Sequence, residues 1–130
     1  MPSLVGSEMC ISDRYMSGLV FQWLQKQGGL SAIADLNKRK SSKLYAAIDA
    51  SDFYSNAVDP ACRSRMNVPF TLADPKLDAT FIEGASQAGI TNIRGHRSVG
   101  GMRASLYNAM PEKGVDALLS VMADFVARYG

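Results

Sequence analysis

No apolar run in this chain approaches the ~20 residues needed to cross a lipid bilayer, so a membrane span is not expected. The N-terminus lacks a basic segment leading into an apolar core, and no secretory signal is expected there. Cysteine is scarce. Cys10 and Cys62 are the only two, neither with metal-ligand spacing, and both are expected as free thiols in a reducing compartment, with no metal site. Charge of one sign is scarce too: a formal net charge of +2 is too small an excess to argue for nucleic acid or an anionic membrane surface. The expectation is a cytoplasmic protein with neither nucleic acid nor membrane as partner.

What is present is an ordinary globular composition. The chain has 130 residues, 47% hydrophobic and 20% charged, enough for one domain with a real core. Met16, Leu19, Val20, Trp23 and Leu24 recur at three- and four-residue spacings and predict a helix over 15–27, with Trp23 on its core stripe and Gly28-Gly29 as its stop. A second helix is predicted over 31–50, buried along Ile33, Leu36, Leu44, Ala47 and Ile48. Its basic run Asn37-Lys38-Arg39-Lys40 reads as a solvated face, since no aromatic residues interleave as a nucleic-acid surface would need.

A short extended piece follows at 53–57. Met66, Val68, Phe70 and Leu72 then alternate with Arg65, Asn67, Pro69 and Thr71, a strand with one buried face. Pro69 lacks a ladder donor, which places it at an edge or turns that position outward. Asp74-Pro75 opens a third helix, with Leu77, Phe81, Ala85 and Ala88 inward and Gly89 as its stop. Residues 90–93 read as a short strand. Pro111 leads the last helix, whose stripe is Val115, Leu118, Leu119, Met122, Phe125 and Val126. This order predicts an α+β fold, a small and mainly antiparallel sheet with helices packed on one face.

Residues 95–111 concentrate the chemistry. Met102, Ala104 and Leu106 alternate with Arg103, Ser105 and Tyr107, so a core set and a polar set fall on opposite faces of one strand. Gly100-Gly101 can bend the backbone and turn amides toward an anion. His96 and Arg97 stand at the mouth of that bend. An imidazole, two guanidiniums and free amides suit an anion with two charged ends, because arginine offers a planar fork to carboxylate or phosphate. A Gly-Gly bend is also common, surface arginines are usually just solvated, and a lone histidine is more often structural than catalytic. Arg63 and Arg65 are expected in ion pairs or domain contacts, and Tyr107 in packing.

The run Gly95-His96-Arg97, Gly100-Gly101-Met102-Arg103-Ala104-Ser105, Tyr107-Asn108-Ala109-Met110-Pro111 resembles the C-terminal signature of phosphoserine aminotransferases, pyridoxal-phosphate enzymes of class V and fold type I. Ser17-Gly18-Leu19-Val20-Phe21-Gln22-Trp23-Leu24, Ser51-Asp52-Phe53-Tyr54 and Arg63-Ser64-Arg65-Met66-Asn67-Val68-Pro69-Phe70 resemble the same family in the same order. The resemblance implies that residues 15–130 form that family's small C-terminal domain. Residues 1–14 are expected to be an atypical stretch, foreign to it. There the family carries an Asn-Thr-Pro-Pro-Thr type motif that meets the cofactor phosphate of the neighbouring subunit. Here the positions read Ser7-Glu8-Met9-Cys10-Ile11-Ser12-Asp13-Arg14.

By the same resemblance, Arg103 matches the arginine that clamps the substrate α-carboxylate, and His96 and Arg97 match the pair that binds the substrate phosphate. The implied reaction converts 3-phosphohydroxypyruvate and glutamate to phosphoserine and 2-oxoglutarate, in serine biosynthesis and, through a related substrate, pyridoxine biosynthesis. The implied assembly is a homodimer. Transamination needs a lysine that forms a Schiff base with pyridoxal 5'-phosphate. None of Lys26, Lys38, Lys40, Lys43, Lys76 and Lys113 matches the family's lysine motif. The chain is therefore expected to be a fragment that supplies substrate recognition, with no catalytic and no cofactor-binding residue of its own, inactive alone. The alternatives are a non-catalytic α+β module for a protein or small anion, and a nucleic-acid binder using 38–43.

Overall fold

Gly28 and Gly29, at φ of 103° and 84°, stand where the first helical stretch ends and the second begins. A side chain at Gly28 would meet the Ala32 Cβ at 2.9 Å, so both backbone freedom and space favour glycine at that corner. The computed structural model describes the backbone of residues 3–130 and side chains from Cys10 onward. Helix α1 spans Ser3–Lys26 and α2 Gly29–Asp49; the chain divides into two compact units, residues 1–35 and 36–130.

The first unit departs from expectation twice. Helix α1 starts well ahead of residue 15, through a segment without clear periodicity, because several non-amphipathic residues there are still acceptable helix formers. Its apolar stripe is also not buried. Met16, Leu19, Val20 and Trp23 are 60%, 44%, 50% and 36% exposed, and Tyr15 and Phe21 add further exposed apolar surface. A 3.6-residue period reports an apolar face; it does not report what covers it.

The second unit holds the sheet. Strands β1 (Tyr54–Ser55), β2 (Asn67–Leu72) and β3 (Met102–Ser105) lie in the order β1-β2-β3, antiparallel throughout. Helices α3 (Asp78–Gln87) and α4 (Glu112–Tyr129) join α2 on one face, giving the α+β arrangement the sequence predicts. Val68, Phe70, Leu72, Met102 and Ala104 point into that core and meet Leu44, Tyr45 and Ile48 of α2, Phe81 and Ala85 of α3, and Val115, Leu118, Met122 and Phe125 of α4. Phe81 anchors an aromatic cluster, with Phe70, Tyr54 and Phe125 edge-on to it at 5.1–6.1 Å. The Tyr54 hydroxyl donates to the Met122 carbonyl at 2.9 Å, and burial pushes its phenol pKa up.

Pro69 lies in the central strand, not at an edge. The Leu106 N–H donates to the Met66 carbonyl, which sets the pairs opposite Leu106, Ala104 and Met102 as the bonded ones. Position 69 therefore turns its nitrogen away from β3, toward a side that β1, paired only at Thr71 and Leu72, does not reach. Residues 90–93 are not a strand. Asn92 adopts a left-handed φ of 58°, which interrupts the extended run, and only Arg94 forms a bridge, to Met102. Helix α3 is preceded by a 3-10 turn, Pro75–Leu77, whose Lys76 N–H is capped by the Asp74 carboxylate at 3.0 Å.

The basic run of α2 is the largest correction. Lys38 and Arg39 are exposed, but Asn37 and Ser41 are buried and Lys40 has no accessible surface. Positions 37, 40, 41, 44 and 48 share one helix face, so the polar run crosses the buried stripe. Lys40 is thereby withdrawn from the basic run, while Lys38, Arg39 and Lys43 stay on the outside. The Lys40 ammonium donates to the carbonyls of Tyr107 and Met110, at 2.9 Å each.

Candidate functional site

The loop between α3 and β3 is closed on itself. The Gly95 N–H donates to the Gly101 carbonyl at 2.9 Å, and those of Val99 and Gly100 to the His96 carbonyl at 3.0 and 2.8 Å. Gly100 and Gly101 take φ of 74° and 64°, and a Cβ at Gly101 would lie 2.8 Å from both the Phe70 carbonyl oxygen and the Thr71 methyl. A side chain at Gly95 would collide with the Gly100 carbonyl. Glycine at these positions thus satisfies backbone angle and close approach together.

The loop presents His96 and Arg97 on the surface. They line an open cavity of about 410 Å³ together with Arg94, Lys76 and Asp78. The Ser98 N–H donates to His96 Nδ1 at 3.3 Å, and the Ser98 hydroxyl lies 2.7 Å from the same nitrogen. With Nδ1 accepting from the Ser98 N–H, Nε2 is the ring nitrogen left to donate outward. One carboxylate tempers the cations. Asp78 Oδ1 is buried without a partner, and burial, with Asp74 nearby, raises its pKa.

Arg103 lies elsewhere. It sits on the open face of β3, with Ser105 and Tyr107, and lines a second cavity of about 440 Å³ with Thr91, Asn92, Met110 and Gly114. The Arg103 N–H donates to the Ile93 carbonyl at 2.7 Å, so residues 93–95 and 101–103 run as a short ladder with one cavity toward each end. The structure brings His96 and Arg97 together; it does not place Arg103 in the same cavity.

Two cations of the first cavity were not singled out in the sequence. Arg94 was legible, two residues before His96; Lys76 arrives from the turn ahead of α3, and no local pattern announces it. Arg63 makes a bidentate pair with Asp49 at 2.6 and 2.8 Å and lies over the Tyr45 ring at 4.7 Å, as an ion-pairing arginine should. Tyr107 does not pack: it is 60% exposed.

The model of the family described as aminotransferase class-V matches residues 6–118. The chain belongs to the aminotransferase class-V family. It is 58% identical over 114 residues to a phosphoserine aminotransferase of Hahella chejuensis, covering 88% of this chain and 32% of that protein. A phosphoserine aminotransferase of Pseudomonas aeruginosa is 55% identical over 116 residues, covering 89% of this chain and 32% of the relative. Among solved structures, the phosphoserine aminotransferase of Bacillus circulans subsp. alkalophilus superimposes with a TM-score of 0.81 at 42% identity, covering 84% of this chain and 30% of that one. The pyridoxal-phosphate-bound phosphoserine aminotransferase of Trichomonas vaginalis gives 0.78, also at 42% identity, covering 84% and 32%. The chain thus spans about a third of the length of the relatives it matches.

The residues present do not fit the anchoring of pyridoxal phosphate through a Schiff base. A Schiff base needs a lysine with a free, desolvated amine. Lys40 is buried, but its ammonium is held by two carbonyls. Lys26, Lys38, Lys43, Lys76 and Lys113 are exposed.

Proposed function

We propose that residues 15–130 supply the substrate-recognition surface of a phosphoserine aminotransferase. The reading assigns the reaction of 3-phosphohydroxypyruvate with glutamate to phosphoserine and 2-oxoglutarate. It serves serine biosynthesis and the related phosphorylated substrate of pyridoxine biosynthesis. The complete enzyme is a cytoplasmic homodimer with pyridoxal 5'-phosphate held by other parts of it. The observation that carries the reading is one cavity beside the loop at 95–101, lined by His96 and Arg97 of that loop with Arg94 and Lys76, in a chain 55–58% identical to enzymes of that name.

The division of labour follows from donor chemistry. A phosphate dianion accepts from the His96 Nε2–H and the Arg97 fork, with Arg94 and Lys76 adding positive potential. Arg103, on a strand and flanked by Ser105, offers a bidentate fork to a carboxylate. Each charge-assisted hydrogen bond contributes about 1.5–3 kcal/mol.

The test is a chimera in which residues 15–130 replace the matching third of the Pseudomonas aeruginosa relative. The expected result is transamination of glutamate with 3-phosphohydroxypyruvate. Arg103→Ala raises KM for glutamate roughly thirtyfold or more, and Arg97→Ala acts on the phosphorylated substrate. A folded chimera without activity, or an Arg103→Ala variant with unchanged KM for both substrates, overturns the assignment. The 130-residue chain alone, mixed with pyridoxal phosphate and borohydride, gives no adduct confined to one lysine.

A further inference from the structure

Of the lysines, Lys40 is the one sealed from solvent, and no carboxylate pairs with it among the described residues. A buried ammonium ordinarily has an anionic partner, because desolvating the charge is costly. Here Glu112 acts only at a distance, while its own carboxylate bonds Lys43 at 2.6 Å. The ammonium's hydrogen-bond partners are main-chain carbonyls, those of Tyr107 and Met110, 67 and 70 residues away in the chain.

Those carbonyls belong to one turn. The Met110 N–H donates to the Tyr107 carbonyl at 2.9 Å, so the turn closes around the ammonium. Less than one helical turn before Lys40, the Asn37 amide donates to Asn108 Oδ1 at 2.8 Å. Helix α2 thus grips residues 107–110 at three points. The same turn follows β3 directly and supplies Tyr107 and Met110 to the wall of the cavity that holds Arg103. A leucine at position 40 would fill the space; it could not fix the orientation of two peptide planes.

We infer that Lys40 is a positioning residue for the Arg103 cavity, fixing through the 107–110 turn the wall against which a carboxylate ligand is held. The inference rests on the proposed role of Arg103 in carboxylate recognition. It assigns Lys40 no contact with substrate.

The test uses the full 130-residue chain, labelled with nitrogen-15. Glutarate, a dicarboxylate, is titrated and followed at the Arg103 side-chain N–H and the Ser105 amide. Inorganic phosphate is titrated separately and followed at Arg97 and Gly100. Lys40→Met keeps the apolar stem and removes the donors. It should raise the glutarate Kd about tenfold, since a wall displaced by a fraction of an ångström costs a bidentate contact its geometry, and leave the phosphate Kd within about twofold. An unchanged glutarate Kd overturns the inference, and so does equal weakening of both anions, which is the mark of a merely structural lysine. If Lys40→Met does not fold, Asn108→Ala cuts the neighbouring contact and leaves the ammonium in place. It should weaken glutarate about threefold, and no change overturns the inference. An unaltered chain whose Arg103 signal ignores glutarate removes the Arg103 reading itself, an outcome distinct from a glutarate affinity that Lys40→Met leaves untouched.

Discussion

The two faces of α2 put the same residue type to opposite uses. Lys40, on the inner face, has no accessible surface and spends its donors on two carbonyls. Lys43, on the outer face, stays 42% exposed and pairs with Glu112 and Asp116 at 2.6 and 3.1 Å. Burial lowers the pKa of the first, with Glu112 opposing it; the Glu112 and Asp116 partners raise that of the second. A lysine's sequence neighbourhood does not say which use it will have: Lys40 stands at the edge of the arc shared with 37, 41, 44 and 48, and the offset of roughly 60° between positions three apart carries Lys43 outside it.

The largest effect expected from this contrast is at Lys40. Lys40→Ala opens a cavity and leaves the Met110 carbonyl without its donor, a loss of about 3 kcal/mol. Lys40→Met keeps the stem, relieves the buried charge and should lose about half as much. Denaturant midpoints at constant m-value measure both. A Met variant less stable than the Ala variant would show that packing of the stem is not what the ammonium depends on. Next is Asn37. Its Oδ1 is buried without a partner, so Asn37→Leu exchanges one lost bond to Asn108 for the removal of an orphaned acceptor. The net change should stay under about 1 kcal/mol, because replacing an imperfectly satisfied polar group is cheap compared with stranding one. A loss above that of Lys40→Met would make Asn37 the principal grip.

The sheet, the three helices packed on it and the inward residues of β2, β3 and α4 were legible because period-2 and period-3.6 patterns are local properties of the chain. Other features were not. Asn92 in the left-handed region turned the strand expected at 90–93 into a loop, a backbone choice that composition does not show. Pro69 could be central only because β1 is too short to reach it. The stripe on α1 was visible, its exposure was not. The burial of Lys40 and the arrival of Lys76 beside His96 depend on contacts more than fifty and about twenty residues apart in sequence, respectively, and only the assembled fold supplies them. The motif residues stood out one by one. Their division between two cavities did not, since strand alternation gives the face of Arg103 but not the direction of the loop before it.

The outer face should respond to pH where the inner one does not. The Arg63 guanidinium holds Asp49 below the usual carboxylate range, and the Lys43 ammonium does the same to Glu112. A carboxyl lowered in the fold adds stability that is present above its unfolded value, about 4, and lost as the pH falls through its folded value. Midpoints should therefore be flat from neutral pH to about 5 and fall below about 4. Asp78, raised by burial, works in the opposite sense, so Asp78→Asn should steepen that fall. Asp49→Asn should flatten it. An acid limb unchanged in Asp49→Asn would mean that the Arg63 pair contributes nothing in solution.

The smallest expected effect is at Lys43, and it decides whether the contrast is one of burial or merely of partner number. Lys43 touches two carboxylates and Lys40 two carbonyls, so counting contacts ranks them equal or favours Lys43. Solvent ranks them otherwise. Around an exposed ammonium, water replaces each lost bond and salt screens what remains, so exposed pairs commonly contribute nothing measurable. Lys43→Ala should leave the thermal midpoint where it is at about 0.15 M salt and lower it, if at all, only at low ionic strength. A shift as large as that of Lys40→Met, persisting at high salt, would mean that the carboxylate pairs of α4, and not the sealed ammonium, fix α2 to the sheet.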